Sequence, residues 1–203
     1  MTSSLHAIPK TLRDMAGAGG WQRPAPGEAA VVLIDAQEEY RSGALQLDDV
    51  TLALEEIARL RQHARDLDLP VVHVRHVGAP GGLFDLDARG GAFCVEAEPL
   101  AGETVIDKRL PNSFAGTNLA ETLADKGIRR IVVAGFMTHM CVSSTVRAAL
   151  DLGLESAVVA SACATRALPT HDGSVVSAGD VHRAALAALG DRFAHILPGA
   201  AAV

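Results

Sequence analysis

The chain has 203 residues, of which 49% are hydrophobic and 21% charged, and its formal net charge is −6 at pH 7. This composition is typical of one globular domain with a sizeable core, and it excludes a disordered chain. The acidic balance argues against nucleic acid and anionic membranes as partners, and no apolar run is long enough to span a bilayer.

Residues 1–28 are rich in glycine, proline and small polar residues. We expect them to form an N-terminal arm over the surface or over a neighbouring subunit, although the composition also fits a partly ordered tail. They contain no continuous apolar segment of the kind found in a secretory signal. The three cysteines, Cys94, Cys141 and Cys163, are widely separated, which is typical of reduced thiols. These features predict a cytoplasmic protein.

Residues 29–203 are predicted to form a single domain in which strands and helices alternate. Apolar runs predict strands at 29–34, 71–74, 103–107, 131–134, 157–160 and 193–197, and helical periodicity predicts helices at 50–67, 117–126, 138–152 and 177–189. This alternation favours an α/β fold with a parallel sheet between two layers of helices.

Chemically active side chains follow several of the predicted strands. Four of them are Asp35, His76, Lys108 and Cys141. Because parallel sheets place their sites at the carboxyl ends of the strands, we expect these side chains to meet at one edge. The glycine-rich segment 78–91 is long enough to form a lid or a pocket wall there.

Cys141 has the features of a nucleophile. It falls in the first turn of the predicted helix 138–152, where unpaired amide groups and the helix dipole should lower the pKa of its thiol. Asp35 could accept the thiol proton if burial raises the pKa of its carboxyl, and Lys108 could stabilise the thiolate. Taken singly, the cysteine could be a buried small hydrophobe, the aspartate a turn residue and the lysine a solvated side chain. Their joint position at strand ends favours catalysis.

Three segments resemble the isochorismatase-like cysteine hydrolase family: VVLIDAQEEY, VIDKRLPNSFAGTNL and VVAGFMTHMCVSSTVRAALDLG. The similarity covers nearly all of residues 29–165, and the Gly-x-x-Thr-x-x-Cys-Val element is its most specific part. The resemblance implies that Asp35, Lys108 and Cys141 form a catalytic triad.

The same resemblance implies a three-layer α/β/α fold built on a six-stranded parallel sheet. It also implies a cis peptide bond between Phe136 and Met137. That bond would turn the Met137 N–H toward an oxyanion, beside the Cys141 N–H, so that the two amides form the oxyanion hole.

We expect the substrate to contact polar and aromatic side chains near the predicted triad. These are Gln37, Tyr40, His76, Phe84, Phe114, Thr138 and His139. Core packing is the alternative for the aromatic residues, and a hydrogen-bonded structural role is the alternative for His76. His139 lies two positions before Cys141 in a helical turn and should not face it, so we expect a pocket role or packing rather than a Cys–His dyad.

No metal and no cofactor is predicted. Some members of the family, the nicotinamidases, hold a divalent metal with an Asp-x-His motif near the second strand. Here that region reads HVRHVG, and His73 and His76 would face opposite sides of a continuous strand. Cys94 and Cys163 have no evident base or charged partner in the sequence and are interpreted as structural.

The sequence therefore predicts a cysteine hydrolase that cleaves a C–N bond of a small amide, ureide or carbamoyl substrate through a thioester on Cys141. An isochorismatase that cleaves a vinyl ether and a non-catalytic scaffold protein are the alternatives. Some isochorismatases lack the cysteine, so Cys141 favours C–N cleavage, and the presence of Asp35 and Lys108 argues against a scaffold. A domain of this type usually buries an apolar flank in a homo-oligomer, a dimer or larger.

Overall fold

The computed structural model describes residues 8–203, which contain eight strands. They are β1 (Ala29–Ile34), β2 (Val71–His76), β3 (Thr104–Lys108), β4 (Arg130–Phe136), β5 (Glu155–Ala164), β6 (Leu168–Pro169), β7 (Val175–Val176) and β8 (His195–Leu197). Six of them form one parallel sheet in the order β3-β2-β1-β4-β5-β8, while β6 and β7 pair with each other as a short antiparallel hairpin.

One helix precedes β1 in the chain, and the other helices lie between strands. They are α1 (Leu12–Met15), α2 (Glu38–Ser42), α3 (Val50–Asp66), α4 (Leu119–Asp125), α5 (Ser143–Asp151) and α6 (Ala178–Arg192). Single 3₁₀ turns occur at Arg89–Gly91, Val95–Ala97 and Ala200–Ala202, and a π turn at Thr138–Val142 leads into α5. Within residues 8–203 no helix is both long and apolar enough to cross a membrane.

The predicted three-layer α/β/α fold is confirmed. Every residue of β1 is buried, and alternate side chains enter two separate cores. Val31 and Leu33 pack with α3 on one face, while Val32 and Ile34 pack with α5 and α6 on the other. A strand in the middle of a covered parallel sheet needs apolar side chains on both faces, which explains its continuous apolar run.

The order of the strands determines where a site can form. From β1 the chain proceeds through β2 to β3 on one side, and β4 then pairs with the opposite side of β1. The carboxyl ends of β1 and β4 therefore flank the point where the direction of winding changes. Crevices in sheets of this kind open at that point.

Two predicted boundaries near this crevice are wrong. The fifth strand was predicted to end at residue 160, but β5 continues to Ala164 after a register irregularity opposite β4. The added residues are mostly small, and pairing of Cys163 and Ala164 with Gly135 and Phe136 overrides their weak strand propensity. The predicted helix 138–152 begins as a π turn, and regular α-helix starts only at Ser143.

Residues 1–7 of the predicted N-terminal arm lie outside the described part of the chain. The remainder of the arm contacts the domain: the Leu12 N–H donates to the Asp191 carboxylate at 2.9 Å, and the Arg130 guanidinium lies 4.2 Å from the ring centroid of Trp21. Contact of the arm with a second subunit remains a prediction.

Candidate active site

The three side chains of the predicted triad converge at the carboxyl edge of the sheet. Lys108 Nζ lies 2.7 Å from Asp35 Oδ2 and 3.4 Å from Cys141 Sγ. Since β2 lies between β1 and β3, this ion pair joins side chains that are two strands apart. Asp35 is fully buried, Lys108 is 1% exposed and Cys141 is 5% exposed.

Local backbone geometry positions each member. Asp35 follows β1 with a φ of 52°, a left-handed conformation that aspartate tolerates, and its N–H donates to the Val74 carbonyl at 2.8 Å. Lys108 is the last residue of β3. Near the end of β4, Gly135 has a φ of 116°, and a Cβ there would lie 2.0 Å from the Ile34 carbonyl oxygen. Only glycine lets β4 approach β1 this closely.

The turn that carries Cys141 is held at both ends. The Phe136–Met137 peptide bond is cis, and the Met137 carbonyl accepts hydrogen bonds from the N–H groups of Met140 and Val142 at 3.0 and 3.3 Å. Thr138 Oγ1 donates to the Ala164 carbonyl at 3.1 Å. These contacts bring Cys141 over the end of β4, next to Lys108.

The pKa of the Cys141 thiol is shifted in the opposite direction from the one predicted. Burial and the negative charge of Asp35 raise the pKa of Cys141 to about 12, and Lys108 only partly offsets them. The expectation of a lowered pKa assumed an exposed α-helix start, whereas the sulfur is buried in a π turn and α5 begins two residues later. The resting sulfur is therefore a thiol.

Asp35 has the property expected of a proton acceptor in this site. Burial raises the pKa of its carboxyl, while the positive charge of Lys108 opposes that shift. A carboxylate whose pKa is raised binds a proton more strongly than an exposed one. The site therefore holds one transferable proton between the sulfur and the carboxylate, with one ammonium beside both.

His76 is the third hydrogen-bonding neighbour of the Lys108 ammonium. Its Nδ1 lies 3.3 Å from Lys108 Nζ, so the ammonium has three neighbours for its three N–H donors. An ammonium cannot accept, so Nδ1 must be unprotonated and the ring proton is on Nε2. Burial, with the nearby charges of Lys108 and Arg109, lowers the pKa of His76 to about 4. The half-buried ring is neutral at pH 7 and has one N–H to donate.

This geometry can be compared with known proteins. The family model for the isochorismatase domain matches residues 29–200. The chain belongs to the isochorismatase family. The solved structure of an isochorismatase from Pseudomonas putida KT2440 is 41% identical and matches with a TM-score of 0.90, covering 97% of this chain and 100% of that one.

Two curated relatives align over most of the chain. The uncharacterized isochorismatase family protein YddQ of Bacillus subtilis (strain 168) is 38% identical over 170 residues, 82% of this chain and 94% of its own length. Streptothricin hydrolase of Streptomyces noursei is 34% identical over 176 residues, 86% of this chain and 63% of its own length. The predicted family is confirmed, and this isochorismatase-family chain is placed among hydrolases.

Three of the predicted substrate-binding residues in this isochorismatase-family site form one aromatic group beside the triad. The ring centroids of Tyr40 and Phe84 are 5.0 Å apart, and those of His76 and Phe84 are 5.1 Å apart. Phe84 belongs to the segment 78–91 and has a φ of 58°. This contact brings the segment against the site, where a wall was predicted. Phe114 is half-buried and packs against the core cluster that contains Cys141.

Two of the polar residues predicted to bind substrate, Gln37 and Thr138, form hydrogen bonds within the scaffold. Gln37 is fully buried, and its amide accepts from the His76 N–H at 2.8 Å and donates to the carbonyls of His76 and Gly91 at 3.0 and 2.9 Å. Thr138 is also fully buried, and its hydroxyl is used by Ala164 and by a histidine of α6. Both amide hydrogens of Gln37 and the hydroxyl proton of Thr138 are used within the fold, and contact of either side chain with a substrate stays a prediction.

His139 does not form a dyad with Cys141, in agreement with its expected orientation. Its Nδ1 is hydrogen-bonded to Thr165 Oγ1 at 2.5 Å. His182 Nδ1 lies 2.9 Å from Thr138 Oγ1. The threonine proton goes to the Ala164 carbonyl, so His182 must donate from Nδ1. Both histidines therefore anchor the π turn.

His73 and His76, the two histidines of β2, have different partners. His73 is fully buried, and its Nε2 lies 2.7 Å from Glu103 Oε2, away from the triad. Over residues 8–203 no cluster of three or more histidine, cysteine, aspartate or glutamate side chains has the geometry to hold a metal ion. Burial raises the pKa of both Cys94 and Cys163 to about 12, and both thiols are buried.

Two residues near the site, His182 and Arg166, were not singled out from the sequence. His182 lies in the middle of α6 and carries no local signal. Arg166 follows β5 by two residues, so the rule that selected Asp35 and Lys108 at strand ends could have selected it. The predicted end of the strand at residue 160 placed Arg166 inside a loop instead.

Proposed function

We propose that this chain is a cysteine hydrolase that cleaves the C–N bond of a small amide, ureide or carbamoyl compound through a thioester on Cys141. The observation that supports it most directly is the position of Lys108 Nζ, 2.7 Å from Asp35 Oδ2 and 3.4 Å from Cys141 Sγ. One cation then faces both the base and the nucleophile, as a proton transfer between them requires.

The first step is a proton transfer that leaves the charge balance of the site unchanged. Asp35 takes the proton of Cys141, and the negative charge moves from the carboxylate to the sulfur. Lys108 remains next to one anion before and after the transfer, so no unpaired charge is buried. This arrangement activates a thiol whose pKa is otherwise too high for thiolate to form at pH 7.

The thiolate then attacks the carbonyl carbon of the substrate. The carbonyl oxygen becomes an oxyanion, for which we propose the N–H groups of Met137 and Cys141 as donors. Asp35 gives its proton to the leaving nitrogen as the C–N bond breaks, which releases an amine or ammonia and leaves a thioester on the sulfur.

Hydrolysis of the thioester reverses the roles of the same groups. Asp35 takes a proton from water, and the resulting hydroxide attacks the thioester carbonyl. The C–S bond breaks, the acid leaves and Asp35 returns its proton to Cys141. The net reaction consumes one water molecule and needs no metal or cofactor.

The experiment is a screen for ammonia release from small primary amides and ureides. We expect Cys141→Ala to lose activity by at least about 1,000-fold because the nucleophile is absent. Cys94→Ala is the matched control, since Cys94 is also buried and its removal should leave turnover intact. Intact-mass analysis of acid-quenched samples should detect an acyl adduct in the enzyme with Cys141 only. A folded Cys141→Ala protein with unreduced hydrolysis would refute the proposal.

A further inference from the structure

The ring of His182 connects a helix of an outer layer with the turn that carries the nucleophile. It projects from the first part of α6, and its Nδ1 lies 2.9 Å from Thr138 Oγ1. Thr138 is the first residue of the π turn, three positions before Cys141, and it is fully buried. A half-buried side chain of α6 therefore reaches the same turn as the catalytic sulfur.

The hydroxyl of Thr138 is held from two directions. Its proton goes to the Ala164 carbonyl of β5 at 3.1 Å, and its oxygen accepts the N–H of His182 Nδ1. One contact comes from the sheet and the other from a helix that packs on it. Together they fix both the position and the rotation of the threonine side chain, and with it the start of the π turn.

This contact does not depend on the charge of the histidine ring. Burial lowers the pKa of His182, and the negative charge of Asp49 opposes that shift. The proton on Nδ1 is present in the neutral ring that donates to Thr138 and also in the protonated ring. A neutral side chain with an N–H group at the same place should therefore replace the histidine.

The surroundings of His182 argue against a role in filling the core. The ring lines an open cavity of about 360 Å³ between the starts of α3 and α6, with Leu52, Ala160 and Ala178 among the other lining residues. Among residues 8–203 its one hydrogen bond is the contact with Thr138. Because the space beside the ring is already open, a smaller side chain removes that bond without creating a new closed void.

The position of the π turn matters for the chemistry that we propose. Cys141 Sγ lies 3.4 Å from Lys108 Nζ, and a shift of the turn changes this distance. Displacing a reacting group by about 1 Å can slow a reaction about 100-fold. The aromatic side chains of Tyr40 and Phe84, which we expect to contact the substrate, come from other segments and need not move with the turn.

We propose that His182 is a positioning residue for the nucleophile. Its Nδ1–H holds Thr138, and Thr138 holds the π turn so that the sulfur of Cys141 stays beside Lys108. The histidine should then govern turnover rather than substrate affinity. This inference rests on the proposed function, and it gives His182 no contact with the substrate or the reacting atoms.

The first test compares two amide side chains at position 182. Asn can place its N–H group where Nδ1 stands, whereas Gln carries it farther out, near the place of Nε2. With an amide or ureide found by the ammonia-release screen, we expect His182→Gln to lower kcat by about 10- to 100-fold and to change KM by less than about threefold. His182→Asn should keep kcat within about threefold of the natural chain.

Arg183→Gln is the matched control for these variants. It changes the next residue of α6, whose side chain is 75% exposed and pairs with Asp180 on the same helix. It should leave both kcat and KM unchanged. Thermal melting of every variant confirms that the chain is folded at the temperature of the assay.

A double-mutant cycle tests whether His182 acts through Thr138. Thr138→Val removes the hydroxyl and should itself lower kcat. If the histidine works by holding that hydroxyl, His182→Gln has no further effect on kcat in the Thr138→Val chain. An equal reduction of kcat by His182→Gln in both chains would overturn the proposed role.

A measurement without turnover separates this inference from the proposed function. A loosened turn exposes a sulfur that is 5% exposed in the natural chain, so iodoacetamide should alkylate Cys141 several-fold faster in His182→Gln than in His182→Asn. Cys94 is the internal control. Faster alkylation without hydrolysis of any amide or ureide would refute the proposed function and support the role of His182. Hydrolysis with kcat and alkylation unchanged in His182→Gln would overturn that role and leave the proposed function standing.

Discussion

The pKa values of Asp35 and Cys141 are both raised. The Cys141 sulfur is therefore a thiol at rest and needs Asp35 as a base to become a thiolate. Asp35→Asn removes the carboxylate charge that helps to raise the pKa of the thiol. We expect Cys141 in this variant to be alkylated several-fold faster by iodoacetamide at pH 8, while amide hydrolysis is lost. Peptide-resolved mass spectrometry measures each cysteine separately, and Cys94 and Cys163 serve as internal controls. Slower alkylation of Cys141 would mean that Asp35 activates the resting thiol.

His76 gives a second prediction at the scale of single residues. Its pKa is about 4 in the folded chain, below the ordinary value of 6.5, so the unfolded chain binds more protons between these pH values. The neutral ring therefore contributes stability that is present above pH 6.5 and lost as the pH falls toward 4. His76→Asn keeps an acceptor for Lys108 but does not titrate. Urea unfolding at pH 7 and pH 4.5 should show a smaller loss of stability for this variant than for the natural chain.

The control for His76→Asn is His171→Asn, a substitution at an exposed histidine far from Lys108 in the sequence. It should lose as much stability between the two pH values as the natural chain does. Equal losses for both variants would contradict the assignment of the effect to His76.

How far the residues of the site could be predicted depends on what positions them. Asp35 and Cys141 were found because each follows a run of apolar residues that only a buried strand explains. The direction in which the pKa of the Cys141 thiol shifts could not be predicted, because it depends on burial and on the Asp35 carboxylate, which is more than 100 positions away in the chain. Gln37 belongs to a matching motif, yet its three hydrogen bonds to backbone groups depend on where β2 and a later loop come to lie.

At the scale of elements, the approach of β4 to β1 depends on one glycine. Gly135→Ala places a Cβ 2.0 Å from the Ile34 carbonyl oxygen, in a backbone conformation that alanine rarely adopts. We expect it to lower the free energy of unfolding by about 3 kcal/mol or more and to impair catalysis, since the strand ends would separate. Gly153→Ala is the matched control because its φ is also positive, at 74°, but no atom lies within 4 Å of the added Cβ.

For Gly153→Ala we expect a cost of only about 1–2 kcal/mol, which is the backbone term alone. Urea denaturation of both variants measures the difference. An equal loss in the free energy of unfolding for both variants would mean that the contact with Ile34 relaxes freely. Gly135 would then be required only for its positive φ.

Boundaries of elements were less predictable than their existence. Local propensity ended the fifth strand at residue 160, whereas pairing with β4 carries β5 to Ala164. Helical periodicity extended without a break from 138 to 152, whereas the hydrogen bonds of Thr138 and His139 to β5, α6 and the following loop hold the first residues in a π turn. In both places a contact distant in sequence replaces the local preference. Arg166 was overlooked for the same reason.

At the scale of the whole molecule, alternating apolar and amphipathic segments were sufficient to predict three layers and a parallel sheet. The assembly was predicted from the usual behaviour of such domains, and we propose a homo-oligomer of two or more subunits. Sedimentation equilibrium at micromolar concentration should give at least twice the chain mass of 21.1 kDa. A single species at the mass of one chain would contradict this.

The buried thiol has a consequence outside the catalytic cycle. Peroxides oxidise thiolates far faster than thiols, and they must reach the sulfur. Cys141 is 5% exposed and protonated at rest, so it should resist conversion to sulfenic acid under oxidative stress. In the mechanism that we propose, the reactive anion forms only during turnover, so the resting thiol would be protected from this damage between turnovers.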